Sequence, residues 1–343
     1  MQSYHKKHHQ RPWKSIALYV LMALLVFISL HCGESTRFDE SRHEKGTESP
    51  ESRLDDASLP EKRSASEEPV TESIPESIGM PSLFRRDNLV AWALVPFDAK
   101  KRNSTERAEM LKSLGFTRFA YDWREHHIPE FEKEILAVKK AGLQYFAFWG
   151  IHETALQLFK KHQLSPQIWW FSPSPEGTQA QRLEKAVKMI LPEVRRAASI
   201  GGILGVYNHL GWGGEPENMV AIVERIQKVH KLKNIGIVYN FHHGHGHIKD
   251  FARLLKLMKP YLLCVNLNGM NDGAKPKIVT IGKGRHERRM LQILRDSGYR
   301  GPVGIIAHQA SRDAKVVLQD NINGLKKILE EQDDLDALST FAK

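Results

Sequence analysis

The sequence predicts an α/β fold: a closed (β/α)8 TIM barrel, preceded by an amino-terminal signal or anchor helix and a disordered linker. Three observations lead there. Between residues 86 and 331, eight short apolar runs alternate with eight amphipathic stretches. That span of about 245 residues matches the ~250 typical of such a barrel. No glycine-rich phosphate loop follows the first apolar run, which disfavours the runner-up, an open doubly wound sheet.

The chain opens with a basic segment, "MQSYHKKHHQRPWKS", followed by "IALYVLMALLVFISL" (16–30), which carries no charge. That order is the n-region and h-region of an export signal. The run is shorter than the ~20 residues of a bilayer-spanning helix. Cys32, in "SLHCGES", suits a lipoprotein signal, while Leu30 and His31 depart from the small residues expected before such a cysteine. Residues 1–32 are therefore read as a signal peptide or membrane anchor, with cleavage, lipidation and retention as alternatives. Residues 33–80 are rich in Glu, Ser, Arg and Pro and poor in aromatics, too polar to offset their chain entropy by burial, and read as a disordered linker. Together they predict an exported cell-envelope protein, periplasmic or tethered to the membrane through its amino terminus. The chain has only one other cysteine, Cys264, in an apolar run, so no disulfide is expected.

The barrel units follow in order. "NLVAWALVPF" is the first strand, with "STERAEMLKSLG" its helix and Ser104 the expected N-cap. "FTRFAYDW", "LQYFAFWG" and "PQIWWFSP" are the next three strands, separated by "IPEFEKEILAVKKAG" and "TALQLFKKHQLS". A long helix, "TQAQRLEKAVKMILPEVRRAASIG", leads to "GILGVYNHLGW". "IGIVYNFHH", "YLLCVNLNGM" and "GPVGIIAHQ" complete the eight, and each helical stretch spaces its apolar residues three and four apart. Residues 332–343 are left as a carboxyl-terminal tail.

A barrel places its site at the carboxyl ends of the strands. Polar residues gather there: Asp122 and Arg124, Trp149 with His152 and Glu153, Asn208 and His209, Asn240 with His242 and His243, Asn266 and Asn268, and His308. Strand alternation puts Cys264, Asn266 and Asn268 on one face and Val265 and Leu267 on the other. The face toward the helices must be apolar, so the asparagines point into the barrel, as do Tyr207 with His209 and Val238 with Asn240. Asn266 also admits a purely structural reading as a buried amide.

At these residues the chain resembles the xylose isomerase-like TIM barrels, the family of sugar-phosphate isomerases, epimerases and metal-dependent apurinic endonucleases. "NIGIVYNFHHGH" is similar to the family's sixth strand, and "RDSGYRGPVGI" to its closing segment. The resemblance implies a divalent metal held by a glutamate on strand five, an aspartate and histidine near strand six, a histidine on strand seven and a glutamate on strand eight. Here Tyr207, with His209 beside it, stands at the first position and Asn240 at the second. His243 matches the histidine, Asn266 or Asn268 falls at strand seven, and strand eight supplies His308 but no carboxylate.

Manganese and magnesium favour anionic oxygen ligands, whereas imidazoles suit zinc. His209 and His243 are therefore the candidate metal ligands, and Asp122 and Glu153 the candidate catalytic acids and bases, with Glu215 a further substitute carboxylate. Trp149, Asn240, His242, Asn266, Asn268 and His308 are candidate substrate contacts. His245 and His247 read as solvated loop residues, and "GWGGEPEN" (211–218) as a mobile loop with Gly213 and Gly214 as hinges. Trp169 and Trp170 read as packing. The net charge of +10 is scattered over helical faces and points to no nucleic acid. The expected function is metal-assisted proton transfer on a sugar or polyol, that is, isomerisation or epimerisation. The alternatives are a non-catalytic carbohydrate-binding protein and, less favoured for want of acidic ligands, a nuclease.

Overall fold

The computed structural model describes residues 82–342; the expected signal or anchor (1–32) and the linker (33–80) lie outside the described residues. Among the described residues no helix is long and apolar enough to cross a membrane. Eight strands, β1 (Leu89–Trp92), β2 (Arg118–Tyr121), β3 (Gln144–Trp149), β4 (Gln167–Phe171), β5 (Leu204–Tyr207), β6 (Ile235–Asn240), β7 (Leu262–Leu267) and β8 (Val303–Ile306), close into a ring in sequence order, every pairing parallel. The predicted (β/α)8 barrel is the fold observed.

Parity along each strand sorts its side chains into two layers. Leu89, Ala91, Phe119, Phe148, Ile168, Val206, Ile237, Val265 and Ile305 face the helices in one continuous apolar layer. Val90, Trp92, Ala120, Trp169, Tyr207, Val238, Cys264 and Ile306 fill the barrel interior. Register sets Asn240 beside Asn266, and Asn266 beside Gly304. A Cβ at Gly304 would collide with Asn266 Oδ1, so the glycine on β8 makes room for the amide on β7.

The helices α1 (Ser104–Ser113), α2 (Phe131–Lys140), α3 (Glu153–Lys161) and α4 (Gln179–Ala198) follow β1 to β4. α5 (Gly211–Gly214) is a single turn, after which α6 (Pro216–Val229), α7 (Phe251–Met258), α8 (Glu287–Asp296) and α9 (Ala314–Glu331) follow the last four strands. The N-cap of α1 is Asn103, one residue before the expected Ser104. Glu106 lies three residues after Asn103, and the two exchange side-chain-to-backbone bonds of 3.0 Å each, a full capping box that Ser104 with Arg107 could not make. The segment after α9 is more than a tail: α10 (Leu335–Ser339) buries Ala337, and Asp334 accepts a 2.8 Å bond from Ser82.

The glycine segment after β5 is packed. Gly213 N–H donates to Ser174 Oγ at 2.9 Å, and Trp212 Nε1 to Gln179 Oε1 at 2.7 Å. A Cβ at Gly213 would strike the carbonyl of Pro173, so this glycine serves close backbone approach rather than a hinge.

Candidate functional site

At the carboxyl ends of the strands a cavity of about 170 Å³ is lined by residues from β1, β2, β3, β5, β6 and β8 and the loops after them. Its floor is aromatic. Trp92 packs edge-on against Trp169, with ring centroids 4.7 Å apart, and tilted against Trp149 at 5.8 Å. Tyr207 meets Trp149 edge-on at 5.0 Å. Above them stand four imidazoles. His209 lies 4.5 Å from His243, His243 3.7 Å from His242, and His242 5.5 Å from His308, centroid to centroid. Phe97, from the loop after β1, covers His308 at 3.7 Å.

Among the described residues Asp122 is the one acid in the lining. It follows β2, is 3% exposed, and Oδ1 accepts a 3.1 Å bond from the Val95 N–H. Burial disfavours its charge, outweighing Arg124 and the Val95 N–H, and its pKa is raised to about 6. Arg124 also lines the cavity, stacking 5.5 Å above the Phe97 ring.

The imidazoles are held neutral. Burial, together with neighbouring positive charge, pushes His242 and His243 far below the usual histidine range and His308 to about 4. Partial desolvation, reinforced by Lys277, lowers His209 as well. Lys277, on the loop after β7, brings Nζ to 3.5 Å from His243 Nδ1. An ammonium only donates, so His243 accepts at Nδ1 and carries its proton on Nε2. His242 Nδ1 is buried without a hydrogen-bond partner among the described residues.

The asparagines behave differently. Asn240 Nδ2 donates to the Tyr207 hydroxyl, while its Oδ1 accepts the His242 N–H at 3.1 Å. Trp92 Nε1 donates to the same hydroxyl at 3.0 Å and Asn266 Nδ2 at 3.5 Å. Asn208 closes the tips of β5 and β6 through two bonds to the Asn240 backbone, of 2.7 and 3.0 Å. Asn268 donates to the carbonyls of Gly269 (2.7 Å) and Lys277 (2.9 Å) and accepts from Val279 N–H (3.1 Å). None of Asn240, Asn266 and Asn268 lines the cavity. The expected substrate contacts Asn240, Asn266 and Asn268 thus bond to the framework, away from the cavity lining.

Glu153, the second expected catalytic carboxylate, also lies apart from the cavity. Its side chain is 68% exposed and pairs with Arg196 at 3.1 Å on the helical face, outside the cavity. Glu215 is likewise exposed and bonds His247 Nε2 at 3.0 Å. The two histidines read as solvated are structural. His245 is 8% exposed and its ring nitrogens lie 2.8 and 2.9 Å from the carbonyls of Asn271 and Lys277. His247 Nδ1 meets the Tyr239 hydroxyl at 3.0 Å. Of the expected site residues, Asp122, Trp149, His209, His242, His243 and His308 are brought together. Phe97 and Lys277 were missed. An apolar loop residue and an isolated loop lysine carry no pattern that would select them.

The donor set does not fit the expected metal. Among the described residues no three His, Cys, Asp or Glu side chains form a group able to hold a metal ion. His209 and His243 do approach each other, but Tyr207 and Asn240 contribute no anionic oxygen. The Lys277 ammonium, 3.5 Å from His243 Nδ1, also sets a positive charge against any cation placed beside that ring.

No family model matches the chain, nor does any curated protein sequence. Solved structures do match by fold. A D-allulose 3-epimerase from Methylomonas sp., crystallised with D-allulose, superposes with a TM-score of 0.54 at 10% identity, over 72% of this chain and 99% of that one. A 3-keto-D-glucoside 4-epimerase from E. coli gives 0.52 at 16%, over 71% and 99%. The IOLI protein, with a bound zinc atom, gives 0.50 at 12%, over 71% and 98%. The closed barrel of eight parallel strands anticipated from the sequence is the fold shared with these neighbours.

Proposed function

We propose that the barrel mouth binds a sugar or sugar-like polyol and catalyses isomerase- or epimerase-type proton transfer on it, with Asp122 as the proton acceptor. The observation that carries this is Asp122 itself: among the described residues the one carboxylate lining an aromatic-floored cavity, with a pKa of about 6. A base poised near neutrality abstracts a proton from carbon beside a carbonyl more readily than an ordinary carboxylate does. The flat rings of Trp92 and Trp149 suit the apolar face of a sugar, and the neutral imidazoles and Arg124 offer N–H donors to its hydroxyls and to the developing enediolate oxygen. Asp122 follows β2 and His243 follows β6, four strands apart in a ring of eight, so a bound ring lies between a carboxylate and an imidazole. Asp122 takes the proton on one side, and on the other the Nε2–H of His243 can return one as the Lys277 ammonium passes a proton to Nδ1, which leaves the imidazole neutral. Sugar epimerases among the fold neighbours support the substrate class.

One feature favours a second reading, a carbohydrate-binding barrel without chemistry. Tyr207 and His308 stand where the resemblance expects the two glutamates that move the proton. Hydrogen–deuterium exchange at sugar carbon, followed by NMR in heavy water over a panel of ketoses and aldoses, separates the two. Exchange that disappears in Asp122→Asn establishes proton transfer, whereas saturable binding without exchange establishes the binding reading. Exchange undiminished in that variant removes Asp122 from the role.

Export and tethering of the amino terminus belong to the same proposal, supported by the basic-then-apolar order of residues 1–30 and the polar stretch after it. Fractionation of cells expressing the full chain tests it, and recovery wholly in the cytosolic fraction would refute it.

A further inference from the structure

Beside the mouth lies a second cavity of about 930 Å³, walled by the segments after β1 and β2. Phe97 and Arg124 line both cavities, so the two adjoin at that edge. The mouth alone is smaller than the roughly 300–1,000 Å³ of ordinary ligand clefts. It has room for about one ring, and anything attached to that ring needs space elsewhere.

The charges of the larger cavity do not cancel. Asp98 is matched by Arg102 at 2.9 Å, and Arg102 also pairs with Asp313 at 2.8 Å. Arg107 forms a buried two-pronged pair with Glu134 at 3.0 and 3.1 Å. Glu130 is paired with Lys133 at 3.0 Å. Arg102 answers two acids, so the excess is one positive charge, and Lys101 and Arg124 are the cations of this wall with no acid within ion-pair distance among the described residues. His127, in the same wall, is lowered to about 4 by burial and then by the charges of His126, Arg107 and Arg124, as expected in a positive field. Arg124 is also oriented in advance: Nη1 donates to the Trp123 carbonyl at 2.7 Å and the guanidinium lies over Phe97, leaving other N–H groups for a planar anion.

We propose that this groove is a second subsite, which receives a carboxylate or sulfate borne by an acidic sugar chain while the neutral ring next to it occupies the mouth. The proposal rests on the sugar reading of the mouth and adds the class of substrate, an acidic oligosaccharide. Arg124, at the junction, holds the anion, and Lys101 adds attraction from the outer wall.

Calorimetric titration of the full chain tests this with three probes: a neutral monosaccharide, a neutral disaccharide, and the same disaccharide with its outer ring oxidised to the uronate. At low salt the uronate should bind about tenfold more tightly than its neutral counterpart, an advantage that shrinks as ionic strength rises. Lys101→Gln should cut that advantage severalfold and leave monosaccharide affinity unchanged, and Arg124→Gln should abolish it. Equal affinities for the two disaccharides, or an advantage that survives both substitutions, overturns the subsite. If no sugar of any kind binds, the sugar reading itself falls, and inorganic sulfate then decides the groove. Protection from thermal unfolding by sulfate in the wild type but not in the Lys101→Gln, Arg124→Gln pair sustains an anion site, and equal protection or none overturns it.

Discussion

The barrel mouth uses its polar residues in two opposite ways. On the β5–β7 side, Tyr207, Asn208, Asn240, Asn266 and Asn268 are buried and bonded to one another or to backbone. By contrast Asp122, Arg124 and His308, after β2 and β8, line open space together with His209, His242 and His243, and the carboxyl and the imidazoles carry displaced pKa values. A satisfied buried amide has little left to give a ligand, whereas a desolvated carboxylate facing a cavity is held ready for a proton. Residues matched to the resembling family's metal positions fall mainly on the first side.

The largest effect expected from this contrast is on turnover. Asp122→Asn should lower the proton-exchange rate by about 10²–10⁴-fold, the range contributed by a positioned acid–base group. The Val95 N–H can still bond the new amide oxygen, so the fold should not suffer. Removing a buried charge should in fact raise stability at pH 7 by about 1–3 kcal/mol, measured by chemical denaturation. A variant both inactive and less stable would break the distinction between the two sides.

On the bonded side the expected loss is in stability. Asn268→Ala strands the Val279 N–H and the Lys277 carbonyl, and should cost about 2–4 kcal/mol. Sugar affinity measured well below the unfolding midpoint should change less than that of an Asp122 variant. A large affinity loss with unchanged stability would return Asn268 to the site.

The pH dependence of folding tests the two groups on the open side against each other. Asp122, raised from 3.8 to about 6, binds its proton more tightly when folded, so its contribution falls as pH rises through 4 to 6. His308, lowered from 6.5 to about 4, binds its proton less tightly when folded, so its contribution falls as pH drops from 6.5 to 4. The two trends oppose one another in that window. Asp122→Asn should therefore steepen acid destabilisation between pH 6 and 4, and His308→Gln should flatten it, by about 1–3 kcal/mol in each case.

Lys277→Met should act on one imidazole. Loss of the ammonium frees His243 Nδ1 to take the proton, a tautomer change visible in ¹⁵N chemical shifts of the ring. An unchanged spectrum would show that Lys277 does not set the tautomer. The smallest effect belongs to Glu215→Ala, which removes an exposed contact to His247 and should cost about 0–1 kcal/mol.

Much of the fold was legible in the sequence because it follows from period. Alternating residues in "YLLCVNLNG" predict Cys264 and Asn266 inward and Val265 and Leu267 outward, and those are the two layers found. Asp122, His209, His243 and His308 were legible as mouth residues because each directly follows a strand or caps its tip. Glu153 was not separable from them by that rule. It also follows a strand, but it opens α3, and its side chain turns outward to Arg196.

The sequence by itself determined the ring of eight strands, the two faces of each, and the end of the barrel where polar groups collect. These depend on spacing between near neighbours in the chain, which a periodic pattern records. Tertiary structure alone decided which polar groups were already engaged. Asn268 is answered by Val279, His245 by Asn271 and Lys277, Asp122 by Val95, and His308 by Phe97. Such partners come from loops whose paths no local pattern fixes, and whether a side chain is satisfied or left free depends on which of them reaches it.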